Sequence, residues 1–181
     1  MEAQPRTSSA PEGAAQLFRV LMPSPIGALG IEILGTAVIR VAIEPAEPER
    51  AAFTPLHDLD GSDFLDEVFG RLAEYFAGAR RRLDLEFDLC ATGVDPFDRR
   101  VLKEAAKISY GRTRTYRSLA EAVGRPDCGH EVAVILLANP VPVVIPCHRV
   151  VAEDGGAGEY VGGVQRKLWL LDLERREEEP A

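Results

Sequence analysis

The chain has 181 residues, 46% of them hydrophobic, enough for one ordinary domain or two small ones with a real core. No apolar run approaches the roughly 20 residues that cross a bilayer, and residues 1–16 lack the basic start and apolar stretch of a secretory signal; the expectation is a cytoplasmic protein with no membrane contact. The net charge of −8 argues against a uniformly nucleic-acid-coating protein. The acidity is uneven, with 8 basic and 15 acidic side chains in residues 1–90 but 8 basic and 5 acidic in 97–140, so a DNA-facing surface in the second half is permitted.

Residues 1–16 are rich in Ala, Pro, Ser and Gly and read as a disordered leader. From Leu17 to Ile43, β-branched and apolar residues punctuated by Pro23-Ser24-Pro25-Ile26-Gly27 and by Gly35 predict two or three antiparallel strands. Residues 44–62 read as loop. Phe64, Leu65, Val68, Phe69, Leu72, Tyr75 and Phe76 recur at three- and four-residue intervals, which predicts an amphipathic helix over 64–79. Leu83, Leu85, Phe87 and Leu89 alternate with polar residues, which predicts one more strand. This 17–90 region carries no set of Cys and His that would hold zinc.

A boundary is expected near 91–96, where Thr-Gly and Asp-Pro break the pattern. Beyond it, Phe97, Val101, Leu102, Ala105 and Ile108 define a helix face, and Thr115 is placed to cap a short helix closed by Gly124. After the Arg125-Pro126-Asp127 turn comes a helix from about Gly129 to Ala138, so the pair reads as a helix-turn-helix. Asn139-Pro140 stops it; a glycine-rich loop then runs to Gly163, and Gln165 to Glu174 predicts a last helix ahead of an acidic tail, 177–181. The fold class is α/β: an N-terminal antiparallel-sheet-plus-helix domain (17–90), then an all-helical C-terminal domain (91–176) holding the helix-turn-helix and a site loop.

Three cysteines, Cys90, Cys128 and Cys147, form no CxxC pair, and an odd, scattered count argues against a disulfide framework. His57, His130 and His148 are equally scattered, so no metal site is readable. Cys147 in Ile145-Pro146-Cys147-His148-Arg149-Val150 is a candidate nucleophile, because an activated thiolate wants a base and positive charge beside it. Neighbours on an extended chain point apart, so Cys147 and His148 cooperate only if the chain turns there; Pro146 favours a fixed local geometry. Glu174 is the candidate carboxylate to orient His148. Spacing alone leaves equal room for a plain core cysteine following an apolar strand.

These segments taken together resemble the O6-alkylguanine-DNA alkyltransferases, or methylated-DNA–protein-cysteine methyltransferases, over roughly residues 17–174. The resemblance rests on Pro146-Cys147-His148-Arg149-Val150 with Asn139-Pro140 upstream, and on Tyr160-Val161-Gly162-Gly163, Lys167 and Leu170-Leu171-Asp172-Leu173-Glu174 downstream. Tyr116-Arg117-Ser118-Leu119-Ala120 and the Pro23–Gly27 hairpin complete it. It implies repair of O6-alkylguanine, with O4-alkylthymine as a second candidate target, by one irreversible transfer of the alkyl group to Cys147, with the damaged nucleotide flipped out of the duplex. It further implies His148 as a water-linked base, Glu174 polarising His148, Asn139 holding the turn, and Tyr116 helping to rotate the nucleotide and protonate the departing guanine. Arg149 would be a structural salt-bridge residue, the sulfur would be held ionised beside the imidazole in a cavity fit for a purine, and no metal or cofactor would be required.

Against that family's pattern the recognition helix is unusual. Residues implied to meet double-stranded DNA are Arg117, Cys128, Gly129, His130, Glu131, Ala133, Val134, Tyr160 and Val161. His130 stands where the family usually carries an intercalating arginine, Glu131 and Val134 replace small residues, and Leu137 stands where a basic one is common. DNA binding is therefore expected to be weaker than usual for the family. Alternatively, the apolar Ile135 and Leu136 mark a partner-covered helix, or the thiol serves a small alkylated metabolite or an alkylation sensor. A binding module with an inert thiol, or a turning-over cysteine hydrolase using Cys147, His148 and Glu174, are the competing readings. A monomer is expected.

Overall fold

The computed structural model describes residues 15–59 and 63–176. Nearly all of the expected leader and the whole 177–181 tail lie outside these residues. Three strands follow in order, β1 (Leu17–Met22), β2 (Leu29–Leu34) and β3 (Ala37–Ile43), each antiparallel to the next. The Ser24–Gly27 and Gly35 turns make both reversals as expected.

Residues 44–59 are more ordered than the sequence suggested. They hold two short 3-10 turns and a two-residue strand, β4 (Thr54–Pro55), which pairs parallel with β1 and gives the sheet order β3-β2-β1-β4. Helix α1 (Asp63–Phe76) buries Leu65, Val68, Phe69, Leu72, Tyr75 and Phe76, the stripe its spacing predicts. Each such side chain contributes about 1.5–3 kcal/mol by leaving water.

The strand expected at 83–89 does not form. Only a single bridge joins Phe87 to Val38, carried by Val38 N to Glu86 O (2.9 Å) and Asp88 N to Val38 O (3.1 Å). Alternation reflects side chains that pack inward, with Leu89 buried and Leu83, Leu85 and Phe87 partly buried, but the backbone meets the outer strand only at Val38.

Helix α2 (Pro96–Ala105) starts at Asp95, whose side chain accepts Phe97 N at 2.8 Å, with Pro96 in the first turn where it needs no amide partner. Helix α3 (Tyr116–Ala122) is capped by Thr115, as expected, through a 3.1 Å bond from Ser118 N, and it ends at Gly124 with φ +79°. Helix α4 (Gly129–Leu137) and helix α5 (Val164–Arg176) complete the set. The C-terminal half is not all-helical: β5 (Arg114–Thr115) pairs parallel with β6 (Val150–Val151). This pairing ties the start of α3 to the segment just after Cys147. Buried apolar residues on both sides of the 91–96 break form one continuous cluster, from Val20 through Tyr75 to Leu170.

Candidate active site and nucleic-acid interface

Cys147 is presented by a tightly specified loop. Asn139, buried just beyond α4, accepts Val141 N at 3.0 Å and donates through Nδ2 to Ile145 O and to Cys147 Sγ, both at 3.1 Å. One amide thus spans the whole reversal. From the sheet, Val41 N donates to Pro140 O at 2.7 Å. Val143 takes φ +73°, a conformation unfavourable for a β-branched residue, and is buried where it does so. Cys147–Arg149 then form a 3-10 turn after Pro146. This is the turn that adjacent Cys147 and His148 require if they are to act together, and the strand leading into the cysteine is absent.

Behind the cysteine lies a buried network centred on Glu174. His148 Nε2 is 3.0 Å from Glu174 Oε1. Arg149 donates to the same carboxylate through Nη2 (2.8 Å to Oε1) and Nε (2.9 Å to Oε2), and through Nη1 to Ile108 O at 2.5 Å. Gly111 N donates to Oε2 at 3.1 Å, and Tyr75 OH donates to Oε1 at 2.6 Å. Burial pulls the Glu174 carboxyl towards neutrality, but the hydrogen bonds of His148 and Arg149 and the Arg149 charge overcome it and hold the group well below the usual carboxylate range. Arg149 is the salt-bridge residue the sequence suggested.

An ionised Glu174 accepts only, so Nε2 of His148 carries the hydrogen and Nδ1 keeps its lone pair. Nδ1 is buried and has no hydrogen-bond partner among the described residues. Burial lowers the imidazole's pKa, and Glu174 only partly offsets it, which leaves His148 neutral near pH 7. Burial pushes the Cys147 thiol up to about 11, against the opposing pull of Asn139 and Lys167. Burial thus favours a protonated sulfur at rest, against the expectation of an ionised one: at 3% exposure the desolvation of a thiolate opposes the nearby donors. The two residues rest as thiol and neutral imidazole, with the Nδ1 lone pair unengaged among the described residues.

The walls come from the loop before α5. Lys167 is buried, donates through Nζ to Val150 O (2.5 Å) and Glu159 O (3.0 Å), and lies 5.7 Å from the centre of the Tyr116 ring. Burial brings its pKa down to about 8. Tyr116, at the start of α3, is half-buried with its OH 3.5 Å from Glu159 O. It packs over Gly158, where φ is +70° and an added Cβ would stand 2.5 Å from the Tyr116 oxygen. Tyr160 is buried edge-on to His148, its hydroxyl without a partner among the described residues, and Val161 beside it is exposed.

The expected nucleic-acid face is an open groove of about 530 Å3 between α3 and α4. Tyr116, Arg117, Gly129, His130 and Ala133 line it, joined by Glu153, which the sequence reading missed. Glu153 accepts Arg117 N at 2.9 Å and so places a carboxylate at the start of α3. Cys128 precedes α4 without capping it, and Val134 is exposed. Glu131 is not a bare charge, since Arg125 meets it at 3.1 Å. Ile135 and Leu136 are buried in the protein's own core, so the apolar character of α4 needs no covering partner. Tyr75 was also missed as a site residue, because its position on α1's apolar stripe reads as plain core. Among the described residues no group of three or more His, Cys, Asp or Glu is placed to hold a metal ion.

A buried cysteine, a histidine–glutamate pair in the same turn region and a helix-turn-helix mark a thiol-centred protein, and comparison with known proteins gives the class. Residues 96–176 match the family described as 6-O-methylguanine DNA methyltransferase, DNA binding domain. The methylated-DNA–protein-cysteine methyltransferase of Mycobacterium leprae is 35% identical over 158 residues, covering 86% of this chain and 91% of that protein. The crystal structure of Mycobacterium tuberculosis O6-methylguanine methyltransferase superposes with a TM-score of 0.77 at 33% identity, over 92% of this chain and 96% of that one. A structure of the M. tuberculosis protein in complex with DNA superposes at 0.76 with 32% identity, over 88% and 94%. The chain belongs to the methylated-DNA–protein-cysteine methyltransferase family.

Proposed function

We propose that this protein repairs O6-alkylguanine in DNA by a single, irreversible transfer of the alkyl group to Cys147. The observation that carries the reading is the ordered relay behind the sulfur. Ionised Glu174 fixes the His148 tautomer and leaves the lone pair on Nδ1 unengaged, open to the Cys147 proton by way of a bridging water. In the reaction the S–H proton passes through a bridging water to His148 Nδ1 and the sulfur attacks the alkyl carbon. The carbon–O6 bond breaks with its electron pair leaving on guanine, and guanine takes a proton from Tyr116 OH; the imidazolium then gives its proton, through solvent, to the Tyr116 phenolate, which restores both groups. Burial raises the Tyr116 pKa, which keeps it a donor at neutral pH. The product thioether has no route back to a thiol, so one molecule accepts one alkyl group.

The raised thiol pKa fits this use. A sulfur that ionises only as its proton moves to His148 is protected from stray electrophiles until a target occupies the site. The α3–α4 groove is where we place the DNA, with His130 at the helix position that fills the gap of the flipped base. Paired Glu131 and capping Glu153 support weaker binding than is usual in the family.

Intact-mass measurement after incubation with an O6-methylguanine duplex tests the proposal. One adduct of about 14 Da on Cys147, absent in Cys147→Ser, is expected for methyl transfer to a nucleophile. An unmodified protein that still binds the duplex, or repeated turnover of an ester or amide, overturns it.

A further inference from the structure

The Glu174 carboxylate is engaged by one group from outside the C-terminal half. Tyr75, at the C-terminal end of α1, is buried and locked by edge-on packing against Phe76 and Tyr110. Its hydroxyl gives Glu174 Oε1 the shortest of that oxygen's hydrogen bonds, 2.6 Å against 2.8 Å from Arg149 Nη2 and 3.0 Å from His148. The same hydroxyl lies 3.4 Å from His148 Nε2. A carboxylate oxygen has two lone pairs, so these donors compete for it.

We propose that Tyr75 is a positioning residue for alkyl transfer, which sets the basicity of His148 by sharing the carboxylate oxygen that His148 depends on. This rests on the alkyl-transfer reading above. Each increment of carboxylate charge drawn towards the tyrosine proton is withdrawn from stabilising the imidazolium that forms when Cys147 gives up its proton. Tyr75 therefore keeps the imidazole weakly basic, hence neutral and receptive, while fixing the orientation of both partners. Burial together with the Glu174 charge keeps the phenol itself protonated throughout, a donor that never becomes an anion. The other charged or titratable groups around His148 are Glu174 and Lys167 of α5, Arg149 and Cys147 of its own turn, Tyr160 of the following loop and Tyr110 of the α2–β5 connection. None of these belongs to the N-terminal half. Through Tyr75 the sheet-and-helix half thus takes part in the chemistry as well as in the packing.

The test is the pH dependence of single-turnover alkyl transfer in the full chain with Tyr75→Phe, and with 3-fluorotyrosine incorporated at position 75. Phenylalanine keeps the ring packing and removes the proton; the fluorinated ring donates more strongly. Loss of the donor raises the His148 pKa, so the acidic limb of the rate profile should move to higher pH, by about one unit for a hydrogen bond to a charged group. The fluorinated protein should move it to lower pH. Profiles that superimpose between pH 5 and 9 for all three proteins would overturn the proposal, as would a uniform rate loss without displacement of the limb. The His148 ring resonances, followed by NMR in unreacted protein, report the same shift without any transfer. A wild type that transfers nothing sinks the alkyl-transfer reading, while the NMR titration still decides the role of Tyr75.

Discussion

Arg125 holds Glu131 at 3.1 Å and at the same time lies over the ring of Phe97, 4.5 Å from its centre. The acidic residue on α4 is thus answered by a cation from the turn before it. Glu131→Ala should remove one repulsive charge and release Arg125 at once. We expect DNA binding to tighten several-fold at low salt, with the slope of log K against log salt steeper by about one ion. His130→Arg in the same background should steepen it again. Fluorescence anisotropy across a salt series measures both, and slopes equal to wild type would show that α4 does not face DNA.

The resting protonation state of the sulfur makes a prediction about ordinary thiol chemistry. With the Cys147 thiol pushed up to about 11, iodoacetamide at pH 7 should label exposed Cys90 first. Labelling of Cys147 should grow only as pH rises towards 11. The sign for stability follows. A folded-state pKa raised above the unfolded value contributes stability that is intact below the unfolded value and disappears as pH climbs through the folded one. Wild type should therefore lose more stability than Cys147→Ser between roughly pH 8.5 and 11, measurable by urea denaturation at each pH. Equal losses would place the sulfur in a far wetter setting than its burial indicates.

Asn139→Ala should be costly in two separable ways. It strands Val141 N without its partner in a buried turn, while Ile145 O keeps Cys147 N at 2.8 Å; the loss is about 1–3 kcal/mol for the one buried donor, read as a lower urea midpoint. It also removes the donor to Cys147 Sγ, so whatever folded protein remains should transfer alkyl groups more slowly, because the developing thiolate has lost a hydrogen bond. Asn139→Asp should be worse for transfer, since it sets a negative charge beside the sulfur.

Gly158→Ala probes the placement of Tyr116. The new Cβ would meet the phenol oxygen at 2.5 Å on a backbone with φ +70°. We expect the Tyr116 side chain to be displaced and repair of the lesion in duplex DNA to slow at least tenfold. Iodoacetamide labelling of Cys147 should be unchanged, because Tyr116 serves the nucleotide and leaving group. Parallel changes in both rates would contradict that division.

Much of this architecture was legible in the residues themselves. Hairpins, α1 and the Thr115 and Asp-Pro helix starts are local signals, and they appear where spacing and capping chemistry put them. Pairing a distant Glu174 with His148 could be offered from the sequence only as a candidate, later implied by the family resemblance, because nothing local links residues 26 positions apart. Tyr75 and Glu153 stayed hidden for the same reason: one reads as a core aromatic, the other as loop acid, and only tertiary placement brings them to the relay and to α3. The 83–89 segment misled in the opposite direction, since alternation reports which side chains are buried, not whether a neighbouring edge is free to pair. Ionisation of the sulfur was likewise beyond the sequence, because desolvation depends on the packing around Cys147 and not on its neighbours in the chain.

The 2.7 Å bond from Val41 N to Pro140 O has a consequence for anyone who would dissect this protein. A fragment beginning at Pro96 would retain Cys147, His148, Glu174 and both helices of the groove, and it would span the whole matched family region. It would nevertheless leave the carbonyl beside Asn139 without its donor and Glu174 Oε1 without the phenol that sits closest to it. Trimming to the apparent minimal unit would thus unpick the scaffold on which the sulfur is hung.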